Sequence, residues 1–220
     1  ELNIFYLMDF VYPNVLNRPK DTMSNLSKPY QLTMAHPYLS WHIPKSWMVA
    51  NATIKLANPC IIKSISSERS IVNESFHDQT KTIYEPVLIQ EYLKGLNIRL
   101  HICHQTLIAT AIYSNEIDYR YSDSGNYFKE YKLPQNILDD AFKLSQALGL
   151  TLCGMDLIYA RGRYFFLEAN PSPGYSYFEM NLGHKHFSKS ILNYIEDNND
   201  YISCRRKPFS RCLLSASNAN

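Results

Sequence analysis

No CxxC pair, no glycine-rich phosphate loop, no internal repeat and no strong charge bias occur in this chain, and each absence excludes something. The five cysteines, Cys60, Cys103, Cys153, Cys204 and Cys212, are odd in number and scattered. They suit neither a disulfide framework nor a zinc site, so a reducing, cytoplasmic setting is expected. Without GxGxxG or a P-loop, the commonest nucleotide folds lose their main support. A net charge of +2 with 19% charged residues gives no field for a nucleic acid and favours a small-molecule or peptide substrate. No apolar run approaches the roughly 20 residues that cross a bilayer. The opening ELNIFYLMDFVYP lacks the basic start of a signal peptide, so no membrane partner is expected. Its abrupt apolar beginning, at Glu1 rather than a methionine, leads us to expect that something once preceded it. The sequence sets no oligomeric state.

The residues that are present describe an α+β protein with a mainly antiparallel sheet. Residues 26–36 predict a short helix, capped by Ser27, with Pro29 in its first turn and Pro37 at its end. SWMVA, CIIKSIS, VLIQEYL, IRLHI and LIATAIYS read as strands, and 136–148 as an amphipathic helix stopped by Gly149. LCGMDLIY and RYFFLEAN follow as a hairpin. Strands dominate and helices are few.

That hairpin carries the chemistry. Side chains alternate along a strand, so Glu168 and Asn170 share a face while Leu167 and Ala169 take the other. With the turn centred on Gly162, Asp156 lies opposite Glu168. Like charges directly opposite each other are destabilising, and a divalent cation removes the conflict. Two carboxylates and an amide carbonyl are hard oxygen ligands suited to magnesium or manganese and too few to cage calcium. A lone strand glutamate is most often on a wet face, but three oxygen ligands converging ahead of Pro171-Ser172-Pro173-Gly174 argue for a site. His101 and His104, flanking Cys103, read as satisfied sheet histidines.

The stretch GMDLIYARGRYFFLEANPSPG resembles the metal-binding hairpin of the ATP-grasp superfamily, and is most similar to RimK-like and peptide-maturing ligases. NRPKDTMSNLSKPYQ (17–31), IIKSISSERSIV (61–72), IQEYLKGLNIRLHI (89–102) and DYRY (118–121) fall in the family's order and spacing. The resemblance implies an ATP-grasp fold, two α+β lobes gripping ATP between mainly antiparallel sheets. It assigns Asp156, Glu168 and Asn170 to magnesium, with Glu168 bridging two ions, and Lys28 and Lys63 to the phosphates. Gln90, Glu91 and Leu93 match the adenine hinge, and Arg99 and Arg120 the reacting phosphate and substrate carboxylate. Taken singly, Lys63 also reads as a snorkelling edge residue. Lys28 and Glu91 equally suit surface charges, and the two arginines structural ones.

The implied reaction is ADP-forming ligation of an amino-acid or peptide carboxylate to an amine, through an acylphosphate. Three departures stand beside it. Asn97 replaces the usual acidic residue at the ribose, and Ser66-Ser67-Glu68-Arg69 replaces a glycine-bearing loop, so that Arg69 would take over some phosphate contact. Most of the family's N-terminal domain is expected to be absent, apart from residues 1–16. A degenerate nucleotide-binding module without turnover is therefore an alternative, and a β-rich interaction domain a third. The expected divisions are 1–39 as remnant and leading helix, 40–92 as the small lobe, 93–195 as the large lobe and 196–220 as a polar, disordered tail.

Overall fold

A computed structural model describes residues 2–11, 15–66, 75–114 and 125–197. Three helices lead: α1 (Leu2–Val11), α2 (Pro19–Ser24) and α3 (Lys28–Ala35). Six strands follow: β1 (Ser46–Val49), β2 (Ala52–Leu56), β3 (Cys60–Ser64), β4 (Ser75–Phe76), β5 (Gln79–Ile83) and β6 (Val87–Glu91). The second half holds β7 (Leu96–Cys103), β8 (Thr106–Tyr113), β9 (Tyr127–Glu130), α4 (Gln135–Ala147), β10 (Leu152–Ala160), β11 (Arg163–Asn170), α5 (Tyr175–Leu182) and α6 (His186–Asp197). The class is α+β as expected, and among the described residues the pairings between these strands are antiparallel. Among the described residues, no helix is long and apolar enough to cross a membrane.

The small lobe is a four-stranded sheet, β1-β6-β3-β4, beside the β2-β5 pair. Leu56, Cys60 and Ile89 are its buried centre. The large lobe is a five-stranded sheet in the order β11-β10-β7-β8-β9. Alternation sends Ile98, Leu100 and Ile102 of β7, and Cys153, Met155 and Leu157 of β10, to one face. There they meet Ile137, Ala141 and Leu144 of α4. Those α4 residues recur at helical spacing, and Gly149, at φ 69°, ends the helix in the left-handed region. The opposite face carries Asn97, Arg99 and His101 of β7 with Gly154 and Asp156 of β10. Phe178 of α5 and Phe187 of α6 cover part of it, packing on His101 at 4.8 and 5.1 Å.

Residues 17–43 pack on the large sheet. Ala35 and Trp41 join its core, and the His42 backbone bonds Tyr164 and Phe166 along the β11 edge. The first small-lobe strand begins only at Ser46. Helices are more numerous than expected: α1, α2, α5 and α6 are additional, and of these α6 carries a clear helical stripe in Phe187, Ile191, Tyr194 and Ile195. The start of α6 is capped by a side chain of the preceding helix: Glu179 accepts the Ser188 N–H at 2.8 Å. This helix runs to Asp197, and the rest of the polar tail lies outside the described residues. His104 occupies a turn at φ 50° rather than the strand. His101 is in its strand, but its buried Nε2 has no hydrogen-bond partner; the Phe178 and Phe187 rings pack against it.

Candidate active site

The β10–β11 hairpin turns through Arg161 and Gly162, both at positive φ (53° and 73°), the backbone that two-residue hairpins require. Regular pairing runs back from Ala160↔Arg163 to Leu157↔Phe166. Continued unchanged, it would set Asp156 against Leu167 and send Glu168 to the core. A β-bulge at this step takes up Leu167, and the pairs become Asp156↔Glu168 and Gly154↔Asn170. The expected pairing therefore holds although the turn centre lies between Arg161 and Gly162 rather than on Gly162. Leu167 packs with Leu93, Ile158 and Phe165 in a small apolar cluster beside the carboxylates.

A basic side chain meets each carboxylate. Arg99 is opposite Asp156 in register, and its Nε lies 2.9 Å from Asp156 Oδ1. The guanidinium fits because residue 154 is glycine: a Cβ there would come within 2.5 Å of Arg99 Nη1 and 2.8 Å of the Pro173 Cβ. Lys28, 2% exposed, begins α3 and places its Nζ 3.3 Å from Glu168 Oε2. The same ammonium donates to the Ser66 carbonyl at 3.0 Å. Ser66 ends the described part of the small lobe before residue 67, so Lys28 touches both lobes. Ser27 caps α3 by accepting the Tyr30 N–H, which sets the lysine's position.

Lys63 projects from β3 and donates to Gln90 Oε1 at 2.9 Å, while Gln90 donates to Ser46 Oγ at 3.0 Å. The Gln90 side chain is thus committed to the lysine and to Ser46, which leaves its backbone for any other contact. Glu91 pairs with Arg161 of the hairpin turn at 2.6 Å, tying the end of β6 to the β10–β11 hairpin. Leu93 is buried in the cluster with Ile158 and Phe165. Asn97 sits two residues before Arg99 on the same face of β7. Asn170 Oδ1 accepts the Ser172 N–H at 2.8 Å, closing the turn after the strand with one lone pair and leaving another. Arg69 and Arg120 lie outside the described residues.

Burial and the adjacent Arg99 charge push the His101 pKa down to about 3, so this imidazole is neutral and adds no charge beside Arg99. The oxygen set of Asp156, Glu168 and Asn170, drawn to one face from two neighbouring strands, fits a hard divalent cation. Glu130, His184 and His186 form another cluster of potential ligands. Their two imidazoles are stacked, with centroids 4.2 Å apart and planes only 17° from parallel. Imidazole nitrogens bind metals in the ring plane, and near-parallel stacked rings share no such point within bonding reach.

Sequence reasoning missed Asn17, Gln31 and Arg161. Gln31 follows Lys28 by three residues, a spacing that puts both on one helix face, and that was the available signal. Asn17 and Arg161 are in irregular backbone, where spacing carries no such information.

The RimK-like ATP-grasp domain family matches residues 34–195, well over half of the chain. Among solved structures, the chain is similar to the ATP-grasp ligase PsnB complexed with a phosphomimetic variant of minimal precursor, Mg and ADP. That likeness has a TM-score of 0.68 at 19% identity, covering 89% of this chain and 65% of PsnB. The macrocyclase MdnC from Microcystis aeruginosa, bound with precursor peptide MdnA, aligns with a TM-score of 0.67 at 20% identity over 89% of this chain and 68% of MdnC. D-alanine–D-alanine ligase from Bacillus anthracis gives 0.64 at 14% identity, over 93% of this chain and 77% of the ligase. The chain thus spans about two thirds of the length of PsnB and of MdnC. No curated protein sequence matches it.

Proposed function

The chain belongs to the RimK-like ATP-grasp family, and from that membership and the hairpin geometry we propose an ATP-dependent ligase that joins a carboxylate to an amine. The observation that carries this reading is the bulge, which turns Glu168 onto the face of Asp156 while Lys28 and Arg99 stand against the two carboxylates. Similarity to enzymes solved with precursor peptides favours a peptide or amino acid as the carboxylate substrate.

In this reading ATP and a substrate carboxylate meet between the lobes. The carboxylate oxygen attacks the γ-phosphorus, the bond to ADP breaks, and an acylphosphate forms. An amine then attacks the acyl carbon, loses a proton and expels phosphate. Lys63 and Lys28 are point charges directed at the phosphates, and Lys28 touches both lobes from one buried position. Arg99 offers a guanidinium fork to the transferring phosphoryl group or to the substrate carboxylate. Glu91, Leu93 and the neighbouring apolar cluster form the adenine side, and Asn97 meets the ribose through a neutral amide. Asp156, Glu168 and Asn170 would hold magnesium or manganese, which would supply charge neutralisation at the phosphates. Catalysis is then positional and electrostatic and needs no protein nucleophile.

Nucleotide binding measured calorimetrically with and without Mg²⁺, alongside phosphate release across amino-acid and peptide acceptors, tests the proposal. Metal-dependent nucleotide binding and acceptor-dependent release are expected, both abolished in Glu168→Gln. Binding without release under any acceptor favours the turnover-free module to which Asn97 points. Metal-independent or absent binding refutes both.

A further inference from the structure

Asn17, Asn25, Lys28 and Gln31 are buried and precede residue 34, where the family match begins. Lys28 has a role in the site above; the three amides do not. β11 is an edge strand, so its outward N–H and C=O groups have no ladder partner and must be satisfied some other way. At Tyr164 and Phe166 the His42 backbone does this, with bonds of 3.1 and 2.8 Å. The next outward residue served is Ala169, three positions on rather than two, because the bulge has shifted the phase of the strand. Gln31, 0% exposed, meets it in both directions. Its Oε1 accepts the Ala169 N–H at 2.9 Å, and its Nε2 donates to the Ala169 carbonyl and, at 2.6 Å, to that of Asn25.

Asn17 acts just past the other ligand. Its Nδ2 donates to the Leu152 and Pro171 carbonyls at 2.5 and 2.7 Å, and its Oδ1 accepts the Leu152 N–H at 2.9 Å. The backbone is thus gripped at Ala169 and Pro171, on both sides of Asn170. A one-residue slip would exchange the faces of a strand and carry Glu168 into the core. Gln31 finds its donor and acceptor only while the bulge keeps its present phase.

We propose that Gln31, with Asn17, is a positioning residue that holds the bulged strand in the register that presents Glu168 and Asn170, so that cation affinity and selectivity depend on side chains outside the matched domain. The inference rests on the assignment of Asp156, Glu168 and Asn170 as cation ligands. Partners that orient ligands typically govern about 10- to 100-fold in metal affinity. Magnesium needs near-ideal octahedral geometry, so misplacement should weaken it more than manganese.

The test titrates the full chain with a non-hydrolysable ATP analogue in EDTA, Mg²⁺ and Mn²⁺, and records a melting temperature for each variant. Gln31→Met is expected to lose about tenfold of the Mg²⁺-dependent gain in affinity, with a smaller loss in Mn²⁺ and unchanged binding in EDTA. Asn17→Ala, which releases the Pro171 and Leu152 backbone without touching Ala169, carries the test if Gln31→Met does not fold. Ser40→Ala, which removes a hydroxyl bond to Asp140 on α4, controls for stability loss away from the site. If the Gln31 and Asn17 variants only melt earlier, as Ser40→Ala does, and keep wild-type gains in both metals, the positioning role is wrong while the functional reading stands. If the wild type shows no metal-dependent gain, the ligand assignment itself fails, and this inference with it.

Discussion

Gly154→Ala is a sharp probe of the site, because one methyl group tests both the ion pair and the turn. The added Cβ would meet Arg99 Nη1 at 2.5 Å, the Pro173 Cβ at 2.8 Å and Arg99 Cδ at 3.3 Å. The guanidinium is the end of a long side chain, but it is buried and cannot move without leaving Asp156. The Pro173 ring belongs to the turn immediately after Asn170 and has no rotamer to retreat to. Overpacking of this kind costs about 1–3 kcal/mol. Displacing the buried guanidinium from Asp156 adds to this cost, because its charge stays out of water. Chemical denaturation should therefore show a destabilisation of at least about 1–3 kcal/mol, together with weaker metal-dependent nucleotide binding. A double-mutant cycle with Arg99→Ala separates the two contacts. Once the guanidinium is gone, the methyl should cost measurably less, leaving the clash with Pro173. Full additivity, or a Gly154→Ala protein with wild-type stability and binding, would refute the packing described for this corner.

Two further outcomes follow from the same face. His101 has its pKa lowered to about 3 from the usual 6.5, first by burial and then by the Arg99 charge. The unfolded chain takes up that proton first, so this group's contribution to stability is complete above about pH 6.5 and declines as pH falls toward 3, at up to about 1.4 kcal/mol per unit. His101→Phe, which suits the aromatic contacts at 4.8 and 5.1 Å, should flatten that part of the stability profile; an unchanged acid slope would count against a neutral buried imidazole. Lys28→Met should weaken nucleotide binding by about 10- to 100-fold, the worth of a charge-assisted phosphate contact. It should change stability by no more than about 1 kcal/mol, since Glu168 keeps access to water. Wild-type nucleotide affinity in that variant would remove Lys28 from the phosphate site.

How much was legible in the sequence differed by element. α3 and α4 carry their own boundaries, a serine cap and a glycine stop, and both are where local chemistry puts them. The strands of the large sheet announce themselves by apolar runs and alternation. α5 does not, because its packing face is aromatic and mixed; α6 does carry a helical stripe, Phe187, Ile191, Tyr194 and Ile195, and its Glu179 cap comes from the preceding helix. His104 looked like strand because its neighbours are apolar, yet a turn at φ 50° takes it out of the sheet. For Gln90, a position in the hinge motif gave no hint that its side chain would be committed to Lys63 and Ser46.

The sequence by itself determined the α+β class, the family resemblance and the types of side chain that converge. Those are properties of local pattern and residue chemistry, legible without knowing what touches what. Tertiary structure alone decided the bulge that absorbs Leu167, the inter-lobe reach of Lys28 and the grip of Gln31 on Ala169. A two-residue turn would otherwise put Glu168 on the wrong face of its strand. Only contacts from more than a hundred residues away supply the hydrogen bonds that fit the bulged phase, and no local pattern in RYFFLEAN encodes them.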